Sequence, residues 1–100
     1  METTYKTMIM QDVRQDGLFL KYVTDELQDD EEVVLIAIKN NWGAIKFASK
    51  RLKSNKKVVM LAIKQSGSAL EYASEELRND EEVVREAFKE SQYSLSLIHI

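Results

Sequence analysis

Val33-Val34-Leu35-Ile36-Ala37-Ile38-Lys39 recurs 25 residues later as Val58-Val59-Met60-Leu61-Ala62-Ile63-Lys64. Without a gap, the same shift lays Ala44, Ala48, Ser49 and Leu52 over Ala69, Ala73, Ser74 and Leu77. Extended backwards, it sets Leu20, Tyr22, Val23 and Leu27 on Ile45, Phe47, Ala48 and Leu52; extended forwards, it reaches Val83-Val84-Arg85-Glu86-Ala87-Phe88-Lys89 and then breaks. The units are therefore 8–32, 33–57, 58–82 and a partial 83–93, preceded by an extension over 1–7 and followed by a tail over 94–100. Such a repeat restricts the fold severely. A unit this short cannot bury its own apolar face, so its neighbours must close it.

Each unit reads as two helices. Val34, Ala37 and Ile38 have the i, i+3, i+4 spacing of a buried stripe, and Ala44, Ala48 and Leu52, with Ile45 beside them, form a second. The spacing predicts helices near 17–27, 30–40, 43–53, 56–65, 68–78 and 81–91, and another over 8–15. Asp30, Asn55 and Asp80 are equivalent and each stands a few residues before a Val-Val pair, where a side-chain oxygen can cap a helix start. One residue earlier, Asp29 with Glu32 and Asn79 with Glu82 have capping-box spacing, so the cap is placed to within one residue. Gly17, Asn41 with Gly43, and Gly67 mark the turn between the helices as residues that tolerate a left-handed conformation. Proline is absent and glycine occurs three times, too few for strands joined by tight turns. The predicted fold is all-α, a short α-solenoid of stacked 25-residue helical hairpins. Val34, Ala37, Ile38, Ile45, Ala48, Leu52, Val59, Ala62, Ile63, Leu70, Ala73 and Leu77 should form its core.

The unit resembles the tandem repeats of a family known as domain of unknown function 4116. Those repeats look like D-x-E-V-V-x-x-A-(I/V)-K-x-x-G-x-A-L-x-Y-A-S-x-x-L. Here the pattern is carried by Asp80-Glu81-Glu82-Val83-Val84 and, upstream, by Ala62-Ile63-Lys64, Gly67, Ala69, Leu70, Tyr72, Ala73, Ser74 and Leu77. The resemblance covers nearly residues 8–90. It implies a helical repeat protein, usually part of a longer array, and carries over no catalytic or ligand residues. The first unit departs from the pattern at Met8-Ile9-Met10-Gln11-Asp12, as a degenerate cap would.

The residues themselves argue against catalysis. Without cysteine there are no disulfides, thiolate metal sites or cysteine nucleophiles. The one histidine, His99, lies in the last two residues, so no His-based nucleophile, general base or metal cluster can be assembled. The acidic runs Asp29-Asp30-Glu31-Glu32 and Glu81-Glu82 sit at helix starts, where negative charge suits the helix dipole. Neither an EF-hand spacing nor a Gly-rich phosphate loop is present. No catalytic, cofactor-binding or metal-binding residue is assigned, no cofactor is expected, and the chain is read as not an enzyme. An enzyme reading survives only if the chain is a fragment of a larger repeat-containing enzyme. The N-terminus lacks a signal-peptide pattern and no apolar run could span a bilayer, so an intracellular, cytoplasmic protein without a membrane segment is expected.

Two features bear on partners. Trp42 is equivalent to Gly17, Gly67 and Gln92, so the repeat does not demand bulk there. It is a candidate anchor for a protein partner, or else lies on the adjacent unit. Lys50, Arg51, Lys53, Lys56 and Lys57 form a basic run that could contact nucleic acid. Its equivalents in the flanking units are acidic: Asp25, Glu26, Glu31 and Glu32 before, Glu75, Glu76, Glu81 and Glu82 after. Pairing between units, in ladders such as Glu31–Lys56–Glu81, is therefore the preferred reading. Tyr22, Phe47 and Tyr72 share one repeat position and are expected between units in the core. The tail Ser94–Ile100 admits two readings: Leu95, Leu97 and Ile98 are in frame with a second helix, and the segment also resembles translated sequencing-adapter read-through. The function expected is a helical repeat scaffold for protein–protein interaction, with nucleic-acid contact through the basic run as the rival.

Overall fold

The structure, a computed structural model, describes residues 2–89. They form α1 (Glu2–Gln15), η1 (Gly17–Tyr22), α2 (Asp25–Gln28), α3 (Glu31–Asn40), η2 (Trp42–Phe47), α4 (Lys50–Lys53), α5 (Lys56–Gln65), η3 (Gly67–Tyr72), α6 (Glu75–Arg78) and a last helix, α7, over 81–89. The η segments are 3₁₀ helices, and no strand occurs among the described residues. The order long helix, 3₁₀ segment, single α-turn recurs at the 25-residue step. No helix of the described residues is long and apolar enough to cross a membrane.

The long helices start where the caps were expected. Asp30 accepts from the Val33 N–H at 3.2 Å, Asn55 from Lys57 and Val58 at 3.0 and 3.3 Å, and Asp80 from Glu82 and Val83 at 2.9 and 3.1 Å. The capping boxes one residue earlier do not form. Asp29 bonds Ser49 and Arg51, and Glu82 pairs with Lys56. Residues 2–7, set apart by the repeat frame, are the first turns of α1. The expected tail and residues 90 and 91 of the last predicted helix lie outside the described residues, as do His99 and Gln92.

The second helix of each unit is not continuous. Helix was expected over 17–27, 43–53 and 68–78, yet each stretch breaks in the middle. Ala48 (φ −70°, ψ 156°) and Ser49 (φ −63°, ψ 162°) are extended, and Ser49 caps a fresh turn by accepting from the Leu52 N–H at 3.2 Å. Thr24 and Ser74 do the same for Leu27 and Leu77. The physical reason is a competition. A hydroxyl side chain offers the backbone an alternative to the helical ladder, and the amide it frees finds a partner in the preceding unit. Ser49 N–H donates to Gln28 C=O and Ser74 N–H to Lys53 C=O, each at 3.0 Å. An isolated unit would have no such acceptor.

The turns also differ from expectation. No described residue has a positive φ. Asn41 (φ −153°, ψ 113°) is instead the N-cap of η2, accepting from the Gly43 N–H at 2.9 Å. Asp16 and Ser66 cap η1 and η3 in the same way. Gly17 is required for space: a Cβ there would lie 2.2 Å from the Ala37 carbonyl oxygen. Its N–H donates to Asn40 Oδ1 at 2.8 Å, while Asn40 Nδ2 donates to Arg14 C=O at 3.0 Å. Gln65, equivalent to Asn40, donates to Ile38 C=O at 2.7 Å. Carbonyls left open at the end of one long helix are thus satisfied from the next unit.

The long helices pack in sequence, α1 on α3 and α3 on α5, and the 3₁₀ segments do likewise, η1 on η2 and η2 on η3. Every expected core residue is buried except Leu70, which is half-buried. Its equivalents Leu20 and Ile45 are wholly buried. Both valines of each central pair are inside, as Val33, Val34, Val58 and Val59 are fully covered. Complete burial of such a side chain contributes about 1.5–3 kcal/mol. Tyr22 contradicts the expected inter-unit stacking. It is 70% exposed and rests on Phe19 at a ring-centroid distance of 5.7 Å, whereas Phe47 and Tyr72 are half-buried. Leu20 and Val23 take the buried places beside Tyr22, and its ring turns to Phe19 instead. The described core holds no buried polar or charged residue.

Candidate docking groove

Of the residues singled out in the sequence, Trp42 opens η2 and is half-buried against the core. The basic run is spread over two elements. Lys50, Arg51 and Lys53 make up most of α4, while Lys56 and Lys57 begin α5. Arg51 Nε pairs with Asp29 Oδ1 at 2.9 Å and Nη2 donates to Asp29 C=O at 2.6 Å. Lys56 reaches Asp80 at 3.3 Å and Glu82 at 2.6 Å; Lys57 reaches Glu31 at 3.4 Å. Lys50 and Lys53 have no carboxylate at ion-pair distance among the described residues.

The pairs at the starts of the long helices obey one rule. Lys6, Glu31 and Lys56 are equivalent, and each forks to the two residues flanking its own equivalent in the next unit. Lys6 meets Asp30 and Glu32, both at 3.0 Å; Glu31 meets Asn55 at 3.1 Å and Lys57; Lys56 meets Asp80 and Glu82. The expected ladder Glu31–Lys56–Glu81 is corrected accordingly. Side chains of packed helices enter the grooves between facing residues, so a charge lands between neighbours of its equivalent. Glu81 turns instead to Arg85 on its own helix at 2.6 Å. Hydrogen bonds from Asp30 and Glu32 hold Lys6 above the ordinary lysine range, and Glu82 with Asp80 does the same for Lys56. The Ser49 hydroxyl and Arg51 hold Asp29 below the ordinary carboxylate range. Asp80 is lowered by the Val83 N–H and Lys56.

The groove lies on a different face. Glu32, Leu35, Ile36 and Lys39 occupy the outward i, i+3, i+4, i+7 positions of α3, and Lys57, Met60, Leu61 and Lys64 those of α5. With Met10 and Arg14 of α1 they line an open cavity of about 600 Å³. Its floor is apolar: Met10, Leu35, Ile36, Met60 and Leu61, each half-buried. One margin is a row of cations at the helix C-termini, Arg14, Lys39 and Lys64, all exposed and without an ion pair among the described residues. Lys89 continues that position into α7. The other margin carries Glu32, paired with Lys6, and Lys57, paired with Glu31.

The repeat does not require this apolar floor. The residues of α7 equivalent to Leu35/Met60 and Ile36/Leu61 are Arg85 and Glu86, and the α1 equivalent of Ile36 is Gln11. Leu35, Ile36, Met60 and Leu61 were assigned from the sequence neither to the core nor to a site, although they sit inside the repeated heptapeptide. The departure at Arg85-Glu86 was the signal that could have separated them. No cluster of three His, Asp or Glu side chains able to hold a metal ion occurs among the described residues.

A family model described as a domain of unknown function, DUF4116, matches the chain twice, over residues 5–53 and 55–99. Each match spans about two of the 25-residue units, and together they take in nearly the whole chain. No curated protein and no solved structure matches it significantly.

Proposed function

The chain belongs to the DUF4116 family, and we propose that it is a non-catalytic scaffold: a short α-solenoid of stacked helical hairpins that receives a protein partner in the groove across α1, α3 and α5. The observation that carries this reading is the apolar floor at positions where the same repeat, one unit on, has Arg85 and Glu86. Large apolar side chains half-exposed side by side, bordered by polar groups, are the composition of an interaction surface. The rival reading, nucleic-acid contact through the basic run, is weakened by its ion pairs. Arg51, Lys56 and Lys57 are already engaged with Asp29, Asp80, Glu82 and Glu31, and a phosphate would have to displace those carboxylates.

The test is site-specific photo-crosslinking in extracts of the source cells. A photoreactive residue at Leu35 or Met60 should give a discrete protein adduct that disappears with Ile36→Glu, while the same probe at Lys50 gives none. Circular dichroism of the Ile36→Glu chain serves as the fold control. Equal adducts from both faces, or adducts that nuclease removes, would overturn the reading.

A further inference from the structure

We propose that the partner presents an amphipathic α-helix whose apolar stripe is flanked by carboxylates, laid across α1, α3 and α5 with its acids against Arg14, Lys39 and Lys64. This rests on the docking role proposed above and names the chemistry of the partner. Three observations lead to it.

The first is charge. The chain is acidic overall, with 17 carboxylate side chains against 14 cations, yet the groove margin at the helix C-termini is wholly basic. Lysine at a helix C-terminus is favourable in itself. That accounts for tolerance of the row but not for an apolar floor beside it. The cations at the other margin that could face a carboxylate already do; those of the row do not.

The second is spacing. Neighbouring packed helices lie about 8–10 Å apart, which sets the interval along the row. An α-helix rises about 1.5 Å per residue, so residues i and i+7 are separated by about 10.5 Å. Acids at i, i+7 and i+14 of a crossing helix would meet the three cations in turn. Apolar residues at i+1 and i+4 of each heptad would form a stripe beside that row of acids and fall on the floor, the arrangement of a helix seated in a groove.

The third is backbone chemistry. The floor is built from helices whose own amides and carbonyls are internally bonded, and it offers no strand edge. An extended peptide would lay unpaired N–H and C=O groups on Met and Leu side chains, a costly arrangement. A helix arrives with those groups already satisfied. The floor also ends where the proposal needs it to end, at Gln11 on one side and at Arg85 and Glu86 on the other.

The test uses the full chain and fluorescein-labelled synthetic peptides of about 18 residues. One has Glu at every seventh position and Leu one and four residues after each Glu, so that the acids flank the apolar stripe; a second replaces Glu by Lys; a third is the acidic peptide with a central proline. Binding is read by fluorescence anisotropy at low and high salt. The acidic helix should bind at least about tenfold more tightly than the basic one, lose affinity with salt, and lose it again with the proline. Lys39→Glu with Lys64→Glu should invert the preference, and recovery of binding to the basic peptide shows that this variant is folded. Equal binding of both peptides, or a preference that survives the reversal, would overturn the inference. If adducts at Leu35 persist and none of the peptides binds, the docking role stands and the acidic helix falls. Binding confined to vesicles of phosphatidylglycerol would assign the groove to lipid and end both.

Discussion

Replacing Gly17 with alanine should destabilise the chain, against the usual direction of such a change. A Cβ at Gly17 would stand 2.2 Å from the carbonyl oxygen of Ala37 and 3.1 Å from its carbon. Ordinary contact begins near 3.4 Å, so η1 and α3 must separate by roughly 1 Å, which is backbone movement in a close-packed interior. Overpacking of this kind costs about 1–3 kcal/mol. The separation also stretches the 2.8 Å bond from Gly17 N–H to Asn40, worth about 0.5–1.5 kcal/mol. Opposing these, alanine restricts the unfolded chain and gains about 0.4–1 kcal/mol. The balance is a net loss of about 1–3 kcal/mol, or a fall in Tm of roughly 4–24 °C for a domain of this size. Gly43→Ala is the matched control. There the nearest atoms are the ends of side chains, Asn41 Oδ1 at 3.2 Å and Leu18 Cδ2 at 3.6 Å, so the effect should stay within about 0.5 kcal/mol of zero. Urea and thermal unfolding followed by circular dichroism would measure both. A Gly17→Ala chain as stable as Gly43→Ala would refute the argument that the close approach of η1 to α3 is what selects glycine.

Lys56→Glu places a carboxylate between Asp80 and Glu82 and should lower the Tm by about 2–5 °C at low salt, with partial recovery in 1 M salt; adding Glu82→Lys should restore part of the loss, and no change at low salt would sink the fork. Ile63→Ala, at a fully buried site, should cost about 2–5 kcal/mol in urea unfolding, more than Leu70→Ala at its half-buried one; the opposite order would contradict the burial pattern. For pH, the lowered Asp29 and Asp80 stabilise fully above the unfolded carboxylate pKa of about 3.9 and lose that contribution as pH falls through their folded values. The raised Lys6 and Lys56 stabilise fully below about pH 10.4 and lose it as pH rises through theirs. Unfolding measured across pH should therefore be level from about pH 5 to 9 and weaken on both sides; a maximum outside that window would count against these pairs.

The sequence by itself determined the period, the helical class, the caps of the long helices and eleven of the 22 buried core residues. Each of these is a local or periodic property: Asp30 caps because a carboxylate two or three residues before an amide can reach it, and Ile63 is inside because its stripe recurs. Pairing of opposite charge between units was legible for the same reason, through the alternation of sign at Glu31, Lys56 and Glu81; the one-residue offset of each fork and the part taken by Lys6 were not. The tertiary structure decided what depends on atoms of another unit. Whether 43–53 runs as one helix or breaks at Ala48 turns on a carbonyl at Gln28 that can take the Ser49 N–H. Glycine at position 17 answers to the Ala37 carbonyl, which no local rule mentions. Leu35, Ile36, Met60 and Leu61 are as apolar as the core around them. Only the packing of three helices side by side turns them outward into one floor, because a helix has two faces and composition does not say which of them a neighbour will cover.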